Sequence, residues 1–446
     1  MQPPPPLPPA EYAARRSGLL ERLSPGSVAV LGGARQVLRN GDAHYRFRQN
    51  SDFWYLTGFP EPEALLVLRP GADDGIESAL FCRGRDAHSE LWDGARAGPE
   101  RAAELYGLDA AYDVSQIDDL LTGWLDGADT LYSPSHRDPV LRRLIARTVG
   151  RVREQGGQRP KRRADILPLI HGARLCKSDG EIERLRYSAQ VAAAAHRRAM
   201  RSVQPGQWEY QLEAEYLHEF MRHGAREAAY CGIVAGGANA CVLHYTDNDR
   251  QLRAGELVLV DAGCEYQGYA SDITRTFPVD GAFTAPQRDL YQVVLAANEA
   301  LIDGIHQGST KQELEAGAVR LLTRGLVDLG LLSGDVDALI EDGAHRTYYM
   351  HGVSHWLGLD VHDAGPYTED RGRRSRTLHP GTVFTVEPGL YIAPDSADAA
   401  EHWRGIGIRI EDDVLIRPDG AVEVLSGDVP KSVEGITELM RQANPS

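Results

Sequence analysis

Four carboxylates and one imidazole, each inside its own phrase, are strung along the second half of this chain. They are Asp261 in LVLVDAG, Asp272 in YASDITRTF, His355 in HGVSHWLG, Glu387 in FTVEPGLY and Glu411 in GIRIEDD. Oxygen-rich donors with one nitrogen suit hard or borderline divalent cations, and four negative charges suit two of them. Two adjacent cations bridged by a hydroxide make a hydrolytic device. Taken singly, each residue has an ordinary reading: a solvated Asp in a hairpin, a satisfied histidine, turn chemistry before a proline, an exposed acidic cluster. Together they read differently, because Asp261 and Glu387 each end an apolar run where an unpaired carboxylate would be costly.

The elements that must position these groups are strands. ELVLVDAG and YASDITRTF read as the arms of a hairpin turning at Tyr266-Gln267 or at Gln267-Gly268. The first turn sets Asp261 directly opposite Asp272 and the second makes them diagonal neighbours; either puts both on one face. Pro388 biases Glu387 towards an extended conformation at the end of the strand TVFTVE. In GIGIRIEDDVLI, Ile406, Ile408 and Ile410 alternate with Arg409 and Glu411, so one strand buries the isoleucines and projects Arg409 beside Glu411. That pairing suggests a guanidinium that orients a metal-binding carboxylate. His351 and His355 have the spacing of a helical zinc pair, but Gly352 and Gly358 make the stretch read as loop and strand.

Residues 174–446 resemble the pita-bread metallopeptidases, the creatinase and methionine aminopeptidase family, and most closely the proline-specific aminopeptidase P branch of bacterial type. The resemblance is carried by HYTDND around His244, VDAGCEYQGYASDITRTFPV, MHGVSHWLGLDVHD, TVEPGLY and GIGIRIEDD, and it extends through RQNSDFWYLTGFPEPEA at 48–64. It implies an α+β or α/β chain: a small mixed N-terminal domain, then two pseudo-symmetric halves around a curved antiparallel sheet flanked by helices. It implies two divalent ions, commonly manganese with cobalt or zinc as alternatives, held by Asp261, Asp272, His355, Glu387 and Glu411. His244, His351 and His362 would surround the substrate as proton shuttles or donors to the developing oxyanion, with Glu387 also accepting a proton. The implied reaction removes the N-terminal residue from peptides whose second residue is proline. A leaving nitrogen without N–H calls for an apolar wall, for which His351, Tyr391 and Trp92 are candidates. A dipeptidase of the same fold would need a cation for the substrate's C-terminal carboxylate, and Arg371 with its basic neighbours is the candidate. A binding module without catalysis would have no need of the retained ligand set. Homodimers or homotetramers are the implied assembly.

The remainder of the chain agrees with that frame. A length of 446 residues suits two or three domains. We read residues 1–173 as an N-terminal α/β domain and 174–446 as the catalytic domain, with 153–165 as connector and its basic run RPKRR at 159–163 as solvated. A net charge of −16 argues against nucleic acid or anionic membrane as partner. Five dispersed cysteines without CxxC spacing read as reduced thiols in a cytoplasmic protein. The opening MQPPPPLPPAEYAARR lacks the apolar core of a secretory signal, and its proline run reads as an extended, poorly ordered leader before the first helix. No apolar run is long enough to span a membrane.

Overall fold

The computed structural model describes residues 1–134 and 136–443; the side chains of Arg371 and Ala443 lie outside that description. Arg371, the cation considered for a dipeptide's carboxylate, is therefore placed by its backbone alone. The chain divides into two compact units, Pro6–Arg174 and Leu175–Ser446, the second taking in Met1–Pro5.

The first unit is built on a six-stranded sheet in the order Ala110–Asp113, Ser78–Cys82, Leu65–Leu68, Val28–Gly32, Thr130–Tyr132, Arg162–Ala164. The three inner apolar strands pair antiparallel and the outer ones join parallel. Val28, Val30, Val67 and Phe81 meet Leu121 and Leu125 of the helix Ile117–Leu125, and Leu141, Ile145 and Val149 of the helix Pro139–Glu154. The segment Arg162–Ala164, read from sequence as part of a solvated connector, is the edge strand of this sheet. Charged side chains on an exposed edge block further pairing, which reconciles its composition with its place.

The second unit runs twice through two helices followed by antiparallel strands. The first pass contains Asp179–Ser202 and Glu209–Arg222, the second Ala285–Gly304 and Lys311–Asp328. Asp179–Ser202 starts where the sequence signals it: Ser178 accepts from the Glu181 amide while the Glu181 carboxylate accepts from the Ser178 amide. Such a cap contributes about 1 kcal/mol. The buried alanines on this helix (Ala189, Ala192, Ala193) let it lie close to the hairpin. There Ser188 Oγ donates to the Cys264 carbonyl at 2.8 Å, and His196 Nε2 donates to that of Ala262 at 3.0 Å.

The hairpin turns at Gln267-Gly268, with φ of 51° and 90°, the double positive φ of a type I′ turn. Arg184 Nε holds the Gln267 side chain at 3.0 Å. Past the turn, Tyr266 faces Tyr269 and the pairing continues to Leu257–Asp261 against Thr274–Pro278, where Asp261 faces Thr274. Asp261 and Asp272 are thus diagonal neighbours. The residues 383–416 form a second hairpin in two pieces: Val383–Val386 pairs with Asp412–Ile416, and Gly389–Ile392 with Ile406–Arg409. GIGIRIEDDVLI is therefore two strands where its alternation suggested one. The register is the same on both sides of the gap, so Glu387 and Glu411 face each other across it. The two hairpins join where Thr274 bridges Glu411.

Proline carbonyls at the start of the chain are tethered to the first hairpin and the helix beside it: Tyr266 OH donates to that of Pro4 at 3.1 Å, and Arg184 of the helix Asp179–Ser202 donates to that of Pro5. Among the described residues, no helix is long and apolar enough to cross a membrane.

Candidate metal centre

Each hairpin delivers two carboxylates to one place, and His355 closes the set from a loop. His355 Nε2 lies 3.3 Å from Asp272 Oδ2, 3.5 Å from Glu387 Oε1 and 4.0 Å from Glu411 Oε1. The ligand atoms of Asp272, His355 and Glu411 all fall within 4.8 Å of one another. Asp261 joins through Tyr230, whose hydroxyl lies 2.6 Å from Asp261 Oδ1 and 2.6 Å from Asp272 Oδ1.

Side chains around the cluster fix where these carboxylates point. Arg409 Nη2 donates to Asp261 Oδ2 at 2.6 Å, its Nη1 to Tyr391 OH at 3.1 Å and its Nε to Thr274 Oγ1 at 3.1 Å. Thr274 in turn donates to Glu411 Oε2 at 2.6 Å. Arg409 was expected to orient Glu411. It holds Asp261 directly instead and reaches Glu411 through a threonine, because the strand stops between the two residues. Thr385 Oγ1 donates to Glu387 Oε1 at 3.2 Å and accepts from the His355 amide at 3.1 Å. The amide of Asp272 donates to the buried Asp413 carboxyl at 3.2 Å.

The electrostatics of this arrangement call for cations. His355 Nδ1 lies 3.0 Å from the Trp356 carbonyl, to which it donates. In a neutral ring that leaves the Nε2 lone pair facing three carboxylates. Burial works against a charged His355, yet its hydrogen bond to Asp272 and the Asp272 and Glu387 charges raise it to about 9. Burial, then the charge of Asp272, pushes Glu387 up to about 7 against the pull of His355. Burial and the neighbouring carboxylates also push Glu411 well above the usual range. A cation in place of the His355 proton relieves the same repulsion and leaves the imidazole in its ligating form. The residues thus fit a metal centre of oxygen donors and one nitrogen.

The other expected residues stand around this cluster with different exposures. His351 Nδ1 lies 3.7 Å from Glu387 Oε2. Its Nδ1 also pairs with the Gly352 carbonyl at 2.9 Å and its Nε2 with Tyr391 OH at 2.9 Å. Burial and the Arg409 charge lower its pKa to about 4, so it stays neutral. Tyr391 is buried and bound to both His351 and Arg409. His362 is exposed, with its ring 4.2 Å from that of His355. Exposed His244 is near enough for its charge to act on both His351 and His362. Trp92 is 76% exposed on the first unit, on the helix Ala87–Asp93.

Sequence reasoning missed Tyr230, Thr274, Thr385 and Asp413. Three of them carried a signal, since each sits two residues from a ligand candidate in an alternating stretch: Asp272/Thr274, Thr385/Glu387, Glu411/Asp413. Period-two patterning puts such pairs on one face. Tyr230 had none, lying in a loop before the strand Ile233–Gly236. Removing its hydroxyl leaves two carboxylates without their shared donor, so Tyr230→Phe is expected to lower metal affinity or turnover about 10–100-fold. Titration of manganese against turnover measures it, and an unchanged curve would assign Tyr230 to packing alone.

Comparison with known proteins agrees with this geometry. The model of metallopeptidase family M24 matches residues 183–418, and that of the aminopeptidase P N-terminal domain matches residues 12–132. The chain is 48% identical over 433 residues to the Xaa-Pro aminopeptidase of Escherichia coli (strain K12), covering 96% of this chain and 97% of that one. It matches the structure of Pseudomonas aeruginosa aminopeptidase PepP with a TM-score of 0.96 at 47% identity, over 99% of both chains. A zinc-substituted Escherichia coli aminopeptidase P in complex with product matches at 0.95 and 46%, over 99% of this chain and 100% of that one. With both domains matched and the carboxylate cluster assembled, the chain belongs to metallopeptidase family M24, in its aminopeptidase P branch.

Proposed function

We propose that this protein is an exopeptidase that hydrolyses the bond between an N-terminal residue and a following proline, with two divalent ions held by Asp261, Asp272, His355, Glu387 and Glu411. The observation that carries it is His355 Nε2 within 4.0 Å of three carboxylates, Asp272 and Glu411 buried and Glu387 half-buried, an arrangement that needs positive charge at its centre. Manganese is the proposed ion, with cobalt or zinc able to use the same donors. The cytoplasm as location and a homodimer or homotetramer as assembly belong to the same proposal and rest on resemblance. When bound, the ions supply Lewis-acid polarisation of the scissile carbonyl and a lowered pKa for the attacking water.

The chain's own residues do the rest. Glu387, at the edge of the cluster nearest His351, takes a proton from the attacking water and passes it to the proline nitrogen as that nitrogen leaves. A tertiary amide nitrogen has no hydrogen to offer the protein, so the wall beside it is the neutral ring of His351 backed by Tyr391. His362, exposed and against His355, donates to the oxyanion as it forms. His244, exposed like His362, lines the substrate. Arg409 orients Asp261 and opposes the burial that raises its pKa.

The test is turnover by the manganese-loaded protein of Gly-Pro and of Arg-Pro-Pro-Gly, with products identified by mass. Release of arginine from the longer peptide is expected. Cleavage of the dipeptide alone would make the protein a dipeptidase, and cleavage of neither would remove the peptidase reading. Within that reading, His362→Ala is expected to lower kcat about 100-fold with metal content unchanged. Unchanged kcat would take His362 out of the reaction.

A further inference from the structure

A cavity of about 950 Å³ opens beside His351 and Gly352, entirely within the catalytic unit. That volume is at the top of the range of small-ligand sites. One wall is the start of the helix Lys311–Asp328; the others come from residues around 345–350 and 367–375. Its charge is opposite to that of the chain. Lys311, Arg346 and Arg373 line it and make no ion pair among the described residues, whereas Arg320 and Arg374 on the same walls are paired with Asp337 and Asp370. The single lining carboxylate, Glu315, already accepts from the Val353 amide at 2.9 Å.

Lys311 is half-buried with its ammonium 4.7 Å from the centre of the Tyr367 ring. A Cβ at Gly352 would stand 3.7 Å from both Lys311 Nζ and Glu315 Oε2, so the ammonium lies beside the backbone that follows His351, which borders the carboxylate cluster.

We propose that this cavity receives the leaving side of the peptide and that Lys311, supported by Arg346, binds the terminal carboxylate of a short leaving peptide. The assignment rests on the peptidase reading above, which fixes which side of the cluster the leaving group occupies. A leaving peptide of three residues spans at most about 10 Å, enough to pass His351 and Gly352 and bring its carboxylate to a partly desolvated cation. An ion pair there is worth more than one in open solvent. Short peptides with a free C-terminus would then be preferred over long or amidated ones.

The experiment is calorimetric binding of Pro-Gly-Gly and Pro-Gly-Gly-amide to the manganese-loaded full chain. Neither has proline second, so neither is turned over, and the outcome is independent of the cleavage test. The acid is expected to bind about tenfold more tightly than the amide, with Lys311→Gln removing the difference and Arg346→Gln, an exposed site that cannot unfold the protein, reducing it. Equal affinity in the parent protein, or a difference that survives both substitutions, would overturn the proposal. So would acetate that competes as well as the tripeptide, since the cavity would then be a general anion site. Loss of cleavage of Arg-Pro-Pro-Gly with the acid preference intact would instead count against the peptidase reading.

Discussion

Asp272→Asn is expected to lower turnover of Arg-Pro-Pro-Gly at least about 1000-fold while leaving the metal-free protein as stable as its parent or more so. The carboxylate stands at the middle of the cluster, with one oxygen 2.6 Å from Tyr230 OH and the other 3.3 Å from His355 Nε2. An amide fills the same space, but it removes one of four charges that balance the proposed cations. Several kcal/mol of transition-state stabilisation follow the ions out, and each 1.4 kcal/mol is tenfold in rate. The stability half of the result separates this from simple misfolding. The charge of Asp272 is among the causes that push Glu387 to about 7 and Glu411 well above the usual range. Deleting it relieves that repulsion in the absence of metal, which offsets the lost hydrogen bond to His355. Thermal melting in chelator, metal content and turnover together make the measurement. Near-normal turnover would rule out the metal assignment, and a large drop in Tm would mean that Asp272 is structural.

Much of this cluster was legible because its members end apolar runs in strands, where period-two patterning states which face a residue takes. The turn of the hairpin carrying Asp261 and Asp272 was readable to within one residue, and the face of both carboxylates was the same either way. The structure selects Gln267-Gly268, the turn in which both central residues take positive φ. The break in GIGIRIEDDVLI was not readable from its own alternation, because its cause lies on the facing strand. Pro388 has no N–H to return to Ile410, so only the Ile410 amide bonds across, to the Pro388 carbonyl at 3.2 Å, and regular pairing lapses until Gly389. That interruption frees Glu387 and Glu411 to face the cluster, and it turns Arg409 towards Asp261 rather than its near neighbour Glu411. Tyr230 was invisible for a different reason: a lone tyrosine in a loop becomes a ligand-orienting group only when a distant hairpin folds against it.

Arg275→Met is expected to cost about 3 kcal/mol of folding stability, more than any exposed substitution in the chain. Arg275 is fully buried. Its Nη1 donates to the carbonyls of Thr274 at 3.0 Å and Glu411 at 2.6 Å, and its Nη2 to Asp412 at 2.6 Å. Methionine fills the volume and leaves Asp412 buried beside one remaining cation, Lys431 at 2.9 Å. That residual partner places the expected loss at the lower end of the range for breaking a buried pair. The pH dependence gives the assignment its own signature. Burial alone would raise Asp412, but Arg275 and Lys431 hold it well below the usual carboxylate range. Its contribution is therefore fully present above about pH 4, the unfolded value, and is lost as pH falls from there towards the depressed folded value. The stability gap between parent and variant, read from urea midpoints, should be widest near neutrality and narrow below about pH 4. A constant gap would mean that the loss comes from packing and not from Asp412. Because the same guanidinium anchors the Glu411 carbonyl, manganese should restore less Tm to the variant than to the parent at equal concentration. That difference would tie the buried pair behind the sheet to the geometry of the metal centre in front of it.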